Sequence, residues 1–286
     1  MSITGIKRYH YARDVDEALS LLLAYEGRGA LLAGGVDLSR GLAPEVEGLI
    51  DITAADLGGI SHDAKKGLII GATVTLEEIR ISRDVRAYSG GFLAEVMGHV
   101  ATLPLRNMAT LGGAVVSAHP WADIPTALIA LGAEAVWRNE EREERAPLEE
   151  LYRRPFRAIF RRAVLTEVRL PAWEGAFAFE KVSRNAGDIA LLNCACGLGV
   201  EGGKIAWARV AVGATPYRAT RLTAVEELLV GEAPSAELWA EGGRAAQREA
   251  QVGDDMRASA EWRRAVIPVI VRRALERAAK EVMGDA

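Results

Sequence analysis

Segments with helical spacing of apolar residues alternate with short strand-like apolar runs along residues 1–171 of the chain. In segment 14–25 the apolar residues recur at helical spacing, and Asp14 with Glu17 forms a capping pair at the start. The segment is therefore predicted to be a helix. A cap signature, Thr75 with Glu78 three residues later, predicts a helix over 75–79. Helical spacing returns at 92–100, and a helix is predicted over 123–131, followed by Gly132 where a helix end favours a left-handed residue. Short apolar runs between these segments predict strands at 30–33, 48–52, 67–72, 114–116, 133–137 and 163–171. Strands that alternate with helices indicate an α/β domain.

The pattern changes in the last part of the chain, where strand-like runs follow one another closely. Such runs occupy 177–185, 189–200 and 205–213. Between the last two, residues 201–204 (EGGK) predict a hairpin turn. Helical spacing then continues to the end, including 261–282, where Pro268 is expected to kink a helix. Strands grouped before helices indicate an α+β domain.

Charge and cysteine content exclude several function classes. With 26% charged residues and a net charge of −4, the 286-residue chain lacks the basic excess of nucleic-acid-binding proteins. Its cysteines, Cys194 and Cys196, are too few for an iron–sulfur cluster or a disulfide framework. They alternate on a predicted strand and are interpreted as buried small hydrophobes, with a redox pair as the alternative. Neither a secretory leader nor a membrane-spanning run is recognisable, so we expect a cytoplasmic chain without a membrane span.

Two glycine pairs, Gly34-Gly35 and Gly112-Gly113, stand where short apolar stretches meet turns. Adjacent glycines let successive backbone N–H groups point into one concavity, which binds phosphate oxygens. Two such loops from distant parts of the chain could clamp the diphosphate of an adenine dinucleotide, with a simple tight turn as the alternative for each pair. Neither pair fits a G-x-G-x-x-G or Walker motif, so Rossmann and P-loop folds are not indicated. The choice between FAD and NAD stays open on these residues.

Five segments occur in the order and spacing of a known family. They are AGGVDL (33–38), RNMATLGG (106–113), PWADIP (120–125), LTEVRLP (165–171) and EKVSRNAGD (180–188). Together they resemble the FAD-binding medium subunits of molybdenum hydroxylases, a family that includes the medium subunit of aerobic carbon monoxide dehydrogenase and the flavin domain of xanthine dehydrogenase. The resemblance covers essentially the whole chain.

The resemblance implies a fold with an α/β part and an α+β part. A two-part FAD-binding domain of the vanillyl-alcohol-oxidase (PCMH) type is expected over 1–172, with two α/β subdomains split near 55–60. A C-terminal domain of the carbon monoxide dehydrogenase flavoprotein type, with a three-stranded antiparallel sheet and helices, is expected over 173–286. The change of hydrophobic pattern in 171–176 places the boundary between them.

The resemblance also implies which residues bind a non-covalent FAD. Carried over position by position, they are Ala33, Gly34, Gly35, Val36, Asp37, Thr110, Leu111, Gly112, Gly113, Ala114, Asp123, Leu165 and Lys181. The two glycine-containing runs are expected to wrap the diphosphate and turn their N–H groups toward it. Asp123 contacts the cofactor in the family but is also placed to cap a helix, and Leu165 is also placed as a core strand residue. Lys181 is expected near the flavin, with an exposed strand lysine as the alternative.

Four positions depart from the family pattern. Ala114 stands where an asparagine is usual, and Pro104 where a glutamine is common. His119 replaces an aspartate of many members, and Ile189 replaces an aromatic residue of the carbon monoxide dehydrogenase type. The missing asparagine removes a hydrogen bond worth roughly 1 kcal/mol. A scaffold or assembly homologue that has lost FAD is therefore one alternative function.

The resemblance implies an electron-transfer subunit without catalytic residues of its own. Its expected partners are a large molybdopterin subunit, where substrate is hydroxylated, and a small subunit with [2Fe-2S] clusters, in a doubled heterotrimer. Electrons from those clusters would pass through FAD to NAD, quinone or oxygen. The chain shows neither a Ser-His-Asp set nor metal-ligand spacing, which agrees with this role. A stand-alone flavin oxidoreductase is the second alternative, although the sequence offers no clear base for it.

Overall fold

A computed structural model describes residues 5–284, which form three β-sheets with helices packed against them. A three-stranded N-terminal sheet and a five-stranded central sheet precede a four-stranded C-terminal sheet. The mixed architecture predicted from the sequence is confirmed, because the antiparallel C-terminal sheet is followed by helices only.

The N-terminal sheet consists of parallel strands in the order β1-β3-β2. Its elements are β1 (Arg8–Tyr11), α1 (Val15–Ala24), β2 (Gly29–Leu32), a 3-10 turn (Leu38–Arg40) and β3 (Gly48–Asp51). Helix α1 begins as predicted, because the Asp14 carboxylate accepts the Glu17 N–H at 2.8 Å. Its apolar face, with Leu19 and Leu22, shares a core with Ile50 of β3. The apolar spacing read from the sequence therefore marks the buried face of α1.

The central sheet has antiparallel neighbours in the order β4-β5-β8-β6-β7. Its strands are β4 (Ile60–Asp63), β5 (Gly67–Gly71), β6 (Glu134–Arg138), β7 (Glu143–Pro147) and β8 (Val164–Leu170). Its helices are α2 (Leu76–Ile81), α3 (Arg83–Ala87), α4 (Phe92–Gly98), α5 (Leu103–Arg106), α6 (Leu111–Ser117), α7 (Asp123–Ala130), α8 (Leu148–Arg153) and α9 (Phe156–Ile159). Thr75 and Glu78 form the predicted capping box at the start of α2.

Residues 114–116, predicted as a strand, lie in helix α6, so that prediction is wrong. β-Branched Val115 and Val116 favour a strand locally. Two contacts outweigh that preference: Val115 is fully buried in the core shared with the central sheet, and Thr110 caps the helix by accepting the Gly113 N–H at 3.2 Å.

The charged segment 139–145 is only partly a turn. It reverses the chain at Asn139, whose side-chain oxygen accepts the N–H groups of Glu141 and Arg142 at 3.0 and 2.8 Å. The charged residues of 139–145 (NEEREER) predict a solvated turn from the sequence, but Glu143 already begins β7, an edge strand of the central sheet, so that prediction is wrong for 143–145. An edge strand tolerates such charges because one side of it faces solvent.

The C-terminal sheet is antiparallel in the order β12-β11-β10-β9. Its elements are β9 (Ala176–Val182), β10 (Leu192–Glu201), β11 (Lys204–Gly213), β12 (Thr220–Arg221), α10 (Thr223–Leu229), α11 (Ala236–Glu249) and α12 (Ala260–Met283). The three predicted strands are confirmed, and β12 adds a two-residue edge strand to them. The predicted hairpin is confirmed, and the chain reverses at Gly202 and Gly203, whose φ angles are +58° and +76°.

The core between this sheet and α12 contains both cysteines as free thiols. Cys194 and Cys196 are fully buried, and burial raises the pKa of the Cys194 thiol well above its usual value. Helix α12 runs through Pro268, which cannot donate to the Arg264 carbonyl. The Gln247 side chain of α11 donates to that carbonyl instead, at 2.9 Å. The Arg264 carbonyl therefore keeps a hydrogen-bond partner although Pro268 interrupts the helix hydrogen bonds.

Helix α7 is the principal contact between the central part and the C-terminal sheet, where it packs on β10 and β11. At its C-terminal end, the Arg209 guanidinium of β11 donates to the carbonyls of Ile129 and Ala130 at 2.8 and 3.1 Å. Gly132 follows with φ +70°, the left-handed residue predicted at this helix end. Across residues 5–284, every helix falls short of the length and apolar character that a membrane crossing requires.

Candidate cofactor site

A cleft of about 460 Å³ lies where the loop after β2 meets helix α6. Small-molecule sites typically enclose about 300–1,000 Å³, so this cleft is of suitable size. The residues predicted for cofactor binding that line it are Ala33, Gly34, Gly35, Val36, Asp37, Thr110, Gly112, Gly113, Ala114 and Leu165. The structure therefore brings the two glycine-containing runs together in one cavity.

Loop 33–37 presents its backbone to the cleft. Gly34 packs so closely on the segment before α6 that a Cβ atom would lie 1.6 Å from the Met108 carbonyl oxygen, and Gly35 has φ +69°. The path of the chain itself thus requires both glycines. Within residues 5–284, the N–H groups of residues 34–37 make no hydrogen bond to the protein. Successive free N–H groups in a concave loop favour an anion.

The second glycine pair is used differently. In the first turn of α6, the Gly112 N–H donates to the Ala72 carbonyl at 2.8 Å and the Gly113 N–H donates to the Thr110 hydroxyl at 3.2 Å. A Cβ atom on Gly112 would lie 2.8 Å from the same Ala72 oxygen. The expectation that both pairs offer free N–H groups to phosphate is therefore wrong for this pair. Gly112 instead permits the close approach of α6 to the end of β5.

Asp37 and His119 bridge the two walls of the cleft. His119 Nε2 lies 2.9 Å from Asp37 Oδ1, and the two side chains are 29% and 38% exposed. The hydrogen bond from His119 lowers the pKa of the Asp37 carboxyl. From the sequence, His119 is a departure from the family pattern that is placed either to donate to the cofactor or to be an exposed loop histidine. Its position depends on a contact between residues 82 apart, which no local signal reveals.

Three predicted cofactor residues, Leu111, Asp123 and Lys181, are not among the residues that line the cleft. Leu111 is fully buried in the hydrophobic core. The Lys181 ammonium donates to Asp123 Oδ2 at 2.7 Å and to the His99 carbonyl at 2.8 Å. The alternative of an exposed strand lysine is therefore wrong, because the Lys181 side chain is only 5% exposed.

Asp123 is the first residue of α7 and does not cap it, since the N-cap residue is Ala122. Its carboxylate also accepts the Asn193 amide at 2.7 Å, and Asn193 in turn accepts the Thr126 hydroxyl at 2.9 Å. Burial raises the pKa of the Asp123 carboxyl, whereas the Lys181 ammonium and the Asn193 amide oppose that shift. This buried network adjoins Ala122, which does line the cleft.

The remaining walls are largely apolar, with one cation that sequence analysis did not assign to the site. Leu76, Val100, Ile124 and Phe160 contribute apolar surface. Arg161 also lines the cleft, and its guanidinium lies 3.9 Å from the Glu45 carboxylate. Apolar walls suit planar rings, and the free N–H groups of the loop suit a diphosphate. The residues present therefore fit a dinucleotide.

Two family models match the chain almost end to end. Residues 3–173 match the FAD binding domain in molybdopterin dehydrogenase, and residues 177–278 match the CO dehydrogenase flavoprotein C-terminal domain. The chain belongs to the FAD-binding medium subunits of the molybdenum hydroxylases. The resemblance read from the five sequence segments is thereby confirmed. Ala114 and His119, two of the departures of this medium subunit from its family, line the cleft, whereas Pro104 and Ile189 are not among its lining residues.

Relatives that align over nearly the whole chain are named as chains or subunits of dehydrogenases. The medium subunit is 29% identical to the carbon monoxide dehydrogenase medium chain of Hydrogenophaga pseudoflava, over 94% of this chain and 96% of the relative. It is 30% identical to caffeine dehydrogenase subunit beta of Pseudomonas sp. (strain CBB1), over 93% of this chain and 92% of the relative. The medium subunit is thus a component of an oxidoreductase.

A solved structure agrees in fold over the whole length. Quinoline 2-oxidoreductase from Pseudomonas putida 86 contains a chain with a TM-score of 0.90 and 26% identity, covering 99% of this chain and 100% of that one. The predicted combination of an FAD-binding domain and a C-terminal domain with an antiparallel sheet and helices is therefore confirmed.

Proposed function

We propose that this medium subunit binds one FAD non-covalently in the cleft and transfers electrons within a cytoplasmic molybdenum hydroxylase complex. The observation that carries the proposal is that residues 34–37, whose N–H groups are free of hydrogen bonds within the described residues, line a cleft in a chain of an FAD-binding family. The N–H groups hold the diphosphate of the cofactor. The apolar walls hold its rings and exclude water from them.

The predicted site residues divide into two groups in this proposal. Residues 33–37, Thr110, Gly112 to Ala114 and Leu165 contact FAD directly, because they line the cleft. Leu111, Asp123 and Lys181 support the site from behind it. Their buried contacts fix α6 against the core and α7 against β9 and β10. The FAD-binding domain extends over 1–172, divided near 55–60, and the C-terminal domain over 173–286.

Bound FAD supplies the redox chemistry, since a flavin exchanges electrons one or two at a time. We infer that the electrons come from [2Fe-2S] clusters of a small partner subunit. They originate at a large molybdopterin subunit, where substrate is hydroxylated. They leave to NAD, quinone or oxygen, and the complex is a doubled heterotrimer. The support for these partners is that relatives of this chain are named as medium chains or subunits of dehydrogenases.

The test is purification of the chain, with measurement of FAD content and of anaerobic reduction by candidate substrates. We expect one FAD per chain, with flavin absorbance at about 450 nm, and no substrate hydroxylation without the partners. A colourless chain that takes up no added FAD would instead favour the scaffold alternative. Direct reduction of the isolated chain by a substrate would favour the stand-alone oxidoreductase.

A matched pair of variants tests the location of the site. Gly35→Val places a β-branched residue at φ +69° in the cleft loop, whereas Gly203→Val does so at φ +76° in the β10–β11 hairpin. Both positions disfavour valine for the same backbone reason. FAD content should fall only in Gly35→Val. Equal FAD content in the two variants would place the cofactor elsewhere.

A further inference from the structure

His119 and Asp37 join the two walls of the cleft through a single contact. Asp37 follows β2 of the N-terminal sheet, whereas His119 follows α6 of the central part. The two side chains line the cleft, meet at 2.9 Å and remain partly exposed at 29% and 38%. The bridge therefore joins the two walls of the cleft at a place that solvent reaches.

The chain around His119 holds the ring firmly in position. Ala118 ends α6 with φ +41°, and the Ala122 N–H donates to the His119 carbonyl at 3.0 Å, which closes a tight turn. The imidazole stacks on Trp121 with ring centroids 4.5 Å apart and planes 8° apart. The turn is also tied to the C-terminal domain, because the Ala214 N–H donates to the Pro120 carbonyl at 2.9 Å.

The polar and charged groups around the His119–Asp37 bridge come from several segments of the chain. From the loop after β2, Asp37 contacts the ring directly, and Arg40 acts on Asp37. From the segment before α12, the Arg257 guanidinium lies 4.5 Å from the Trp121 ring, and Asp255 pairs with Arg257 at 3.3 Å. Helix α6 contributes the neutral Ser117 beside Asp37, and Arg161, paired with Glu45, lines the same cleft.

We propose that His119 is a cofactor-retaining residue, which through its contact with Asp37 ties loop 33–37 to the turn after α6 and slows the release of bound FAD. This inference rests on the proposed function. A hydrogen bond to a carboxylate is among the stronger side-chain contacts, so its loss lets the two walls separate more easily. FAD release therefore accelerates when either member of the bridge is removed.

The test compares the rate of FAD release from the loaded natural chain with the rates of its variants under one set of conditions. We expect His119→Gln to release FAD about two- to fivefold faster than the natural chain, the effect of losing a partly exposed contact to a carboxylate. His119→Arg should release FAD at nearly the natural rate, because a guanidinium donates to a carboxylate and keeps a planar face for Trp121.

Further variants test whether His119 acts through Asp37. Asp37→Ala should also release FAD faster, and the double variant His119→Gln/Asp37→Ala should accelerate release by less than the product of the two single effects, because both changes remove the same contact. His62→Gln, on β4 beside Tyr88, is the matched histidine control and should keep the natural release rate. A natural release rate in His119→Gln, or single effects that multiply in the double variant, would overturn the proposal.

Hydrogen exchange in the FAD-free chain distinguishes failure of the bridge from failure of the proposed function. The Ser39 and Ala122 N–H groups donate to the Gly35 and His119 carbonyls, so they report on the two segments that the bridge joins. Their amide protection should be lower in His119→Gln than in the natural chain, but not in His119→Arg. If no variant binds FAD, the proposed function fails while this measurement still tests the bridge. If FAD binds and protection is independent of His119, only the bridge is wrong.

Discussion

The Lys181 ammonium lies 2.7 Å from the Asp123 carboxylate in an interior contact that links β9 to the first turn of α7. Both side chains are almost fully buried, so each charge is tolerated only because the other is present. The pair joins the FAD-binding domain to the C-terminal sheet directly behind the cleft. Two residues that the family resemblance assigned to the cofactor thus form a structural contact between domains.

Removal of one member of this pair should be costly. Lys181→Met leaves the Asp123 carboxylate buried with only the Asn193 amide as partner, which we expect to reduce the free energy of unfolding by about 3–5 kcal/mol. The double variant Lys181→Met/Asp123→Leu should lose less than the sum of the two single losses. Urea unfolding of the four proteins measures this coupling. Lys204→Met, at an exposed strand position, is the control, and additive losses would contradict the pairing.

A second buried ion cluster fixes the loop that forms one rim of the cleft. The Glu77 carboxylate accepts hydrogen bonds from Arg80 and Arg106, and Arg106 also donates to the Val100 and Ala101 carbonyls at 2.9 and 3.3 Å. The hydrogen bonds from Arg80 and Arg106 lower the pKa of Glu77 to about 2. Because Val100 lines the cleft, this cluster shapes the site without contacting it.

The cluster should stabilise the chain in a pH-dependent manner. The pKa of Glu77 falls from 4.5 to about 2 on folding, so its stabilisation is complete above about pH 4.5 and disappears as the pH falls toward about 2. The difference in unfolding free energy between the natural chain and Glu77→Gln should shrink over the same range. Denaturant unfolding at several pH values measures it, with Glu241→Gln on the exposed face of α11 as the control. A constant difference down to pH 2 would refute the role of Glu77.

Local sequence signals located the site well but explained its glycines incorrectly. The pattern identified both glycine pairs, and the structure places them in one cleft. The expected reason was room for phosphate at each pair. Instead, Gly34 and Gly112 are needed where the backbone approaches the Met108 and Ala72 carbonyls, and only the first loop keeps free N–H groups. Such close approaches join distant segments, so they cannot be read from either segment alone.

Substitution of these glycines separates the two explanations. In Gly34→Ala the new Cβ atom would lie 1.6 Å from the Met108 carbonyl oxygen, so the loop must move, and we expect a loss of about 1–3 kcal/mol in unfolding free energy together with loss of FAD. Gly98→Ala, at a helical position with no atom within 4 Å of the new methyl group, is the control and should be neutral or stabilising. Thermal unfolding and FAD content measure both. A stable, FAD-loaded Gly34→Ala chain would contradict the close packing.

Long-range pairs account for most of what the sequence could not show. The alternation of strands and helices, the caps of α1 and α2 and the β10–β11 hairpin depend on neighbouring residues and were predicted correctly. The helical state of Val115 and the meeting of Asp37 with His119 depend on packing between segments far apart in the chain. The resemblance to a family supplied the cofactor, but the roles of Asp123 and His119 needed the three-dimensional structure.

The departure from the family at Ala114 should be reversible. Ala114 lines the cleft in α6, at the position where the resemblance places an asparagine. Ala114→Asn restores a side-chain hydrogen-bonding group there, and we expect about a fivefold tighter FAD dissociation constant, equivalent to about 1 kcal/mol. Ala114→Leu adds comparable volume without polar atoms and should weaken binding. Titration of the FAD-free variants, followed by flavin fluorescence, measures both constants. If Ala114→Asn bound FAD no better than the natural chain, the missing hydrogen bond would not limit affinity, and loop 33–37 would carry the binding alone.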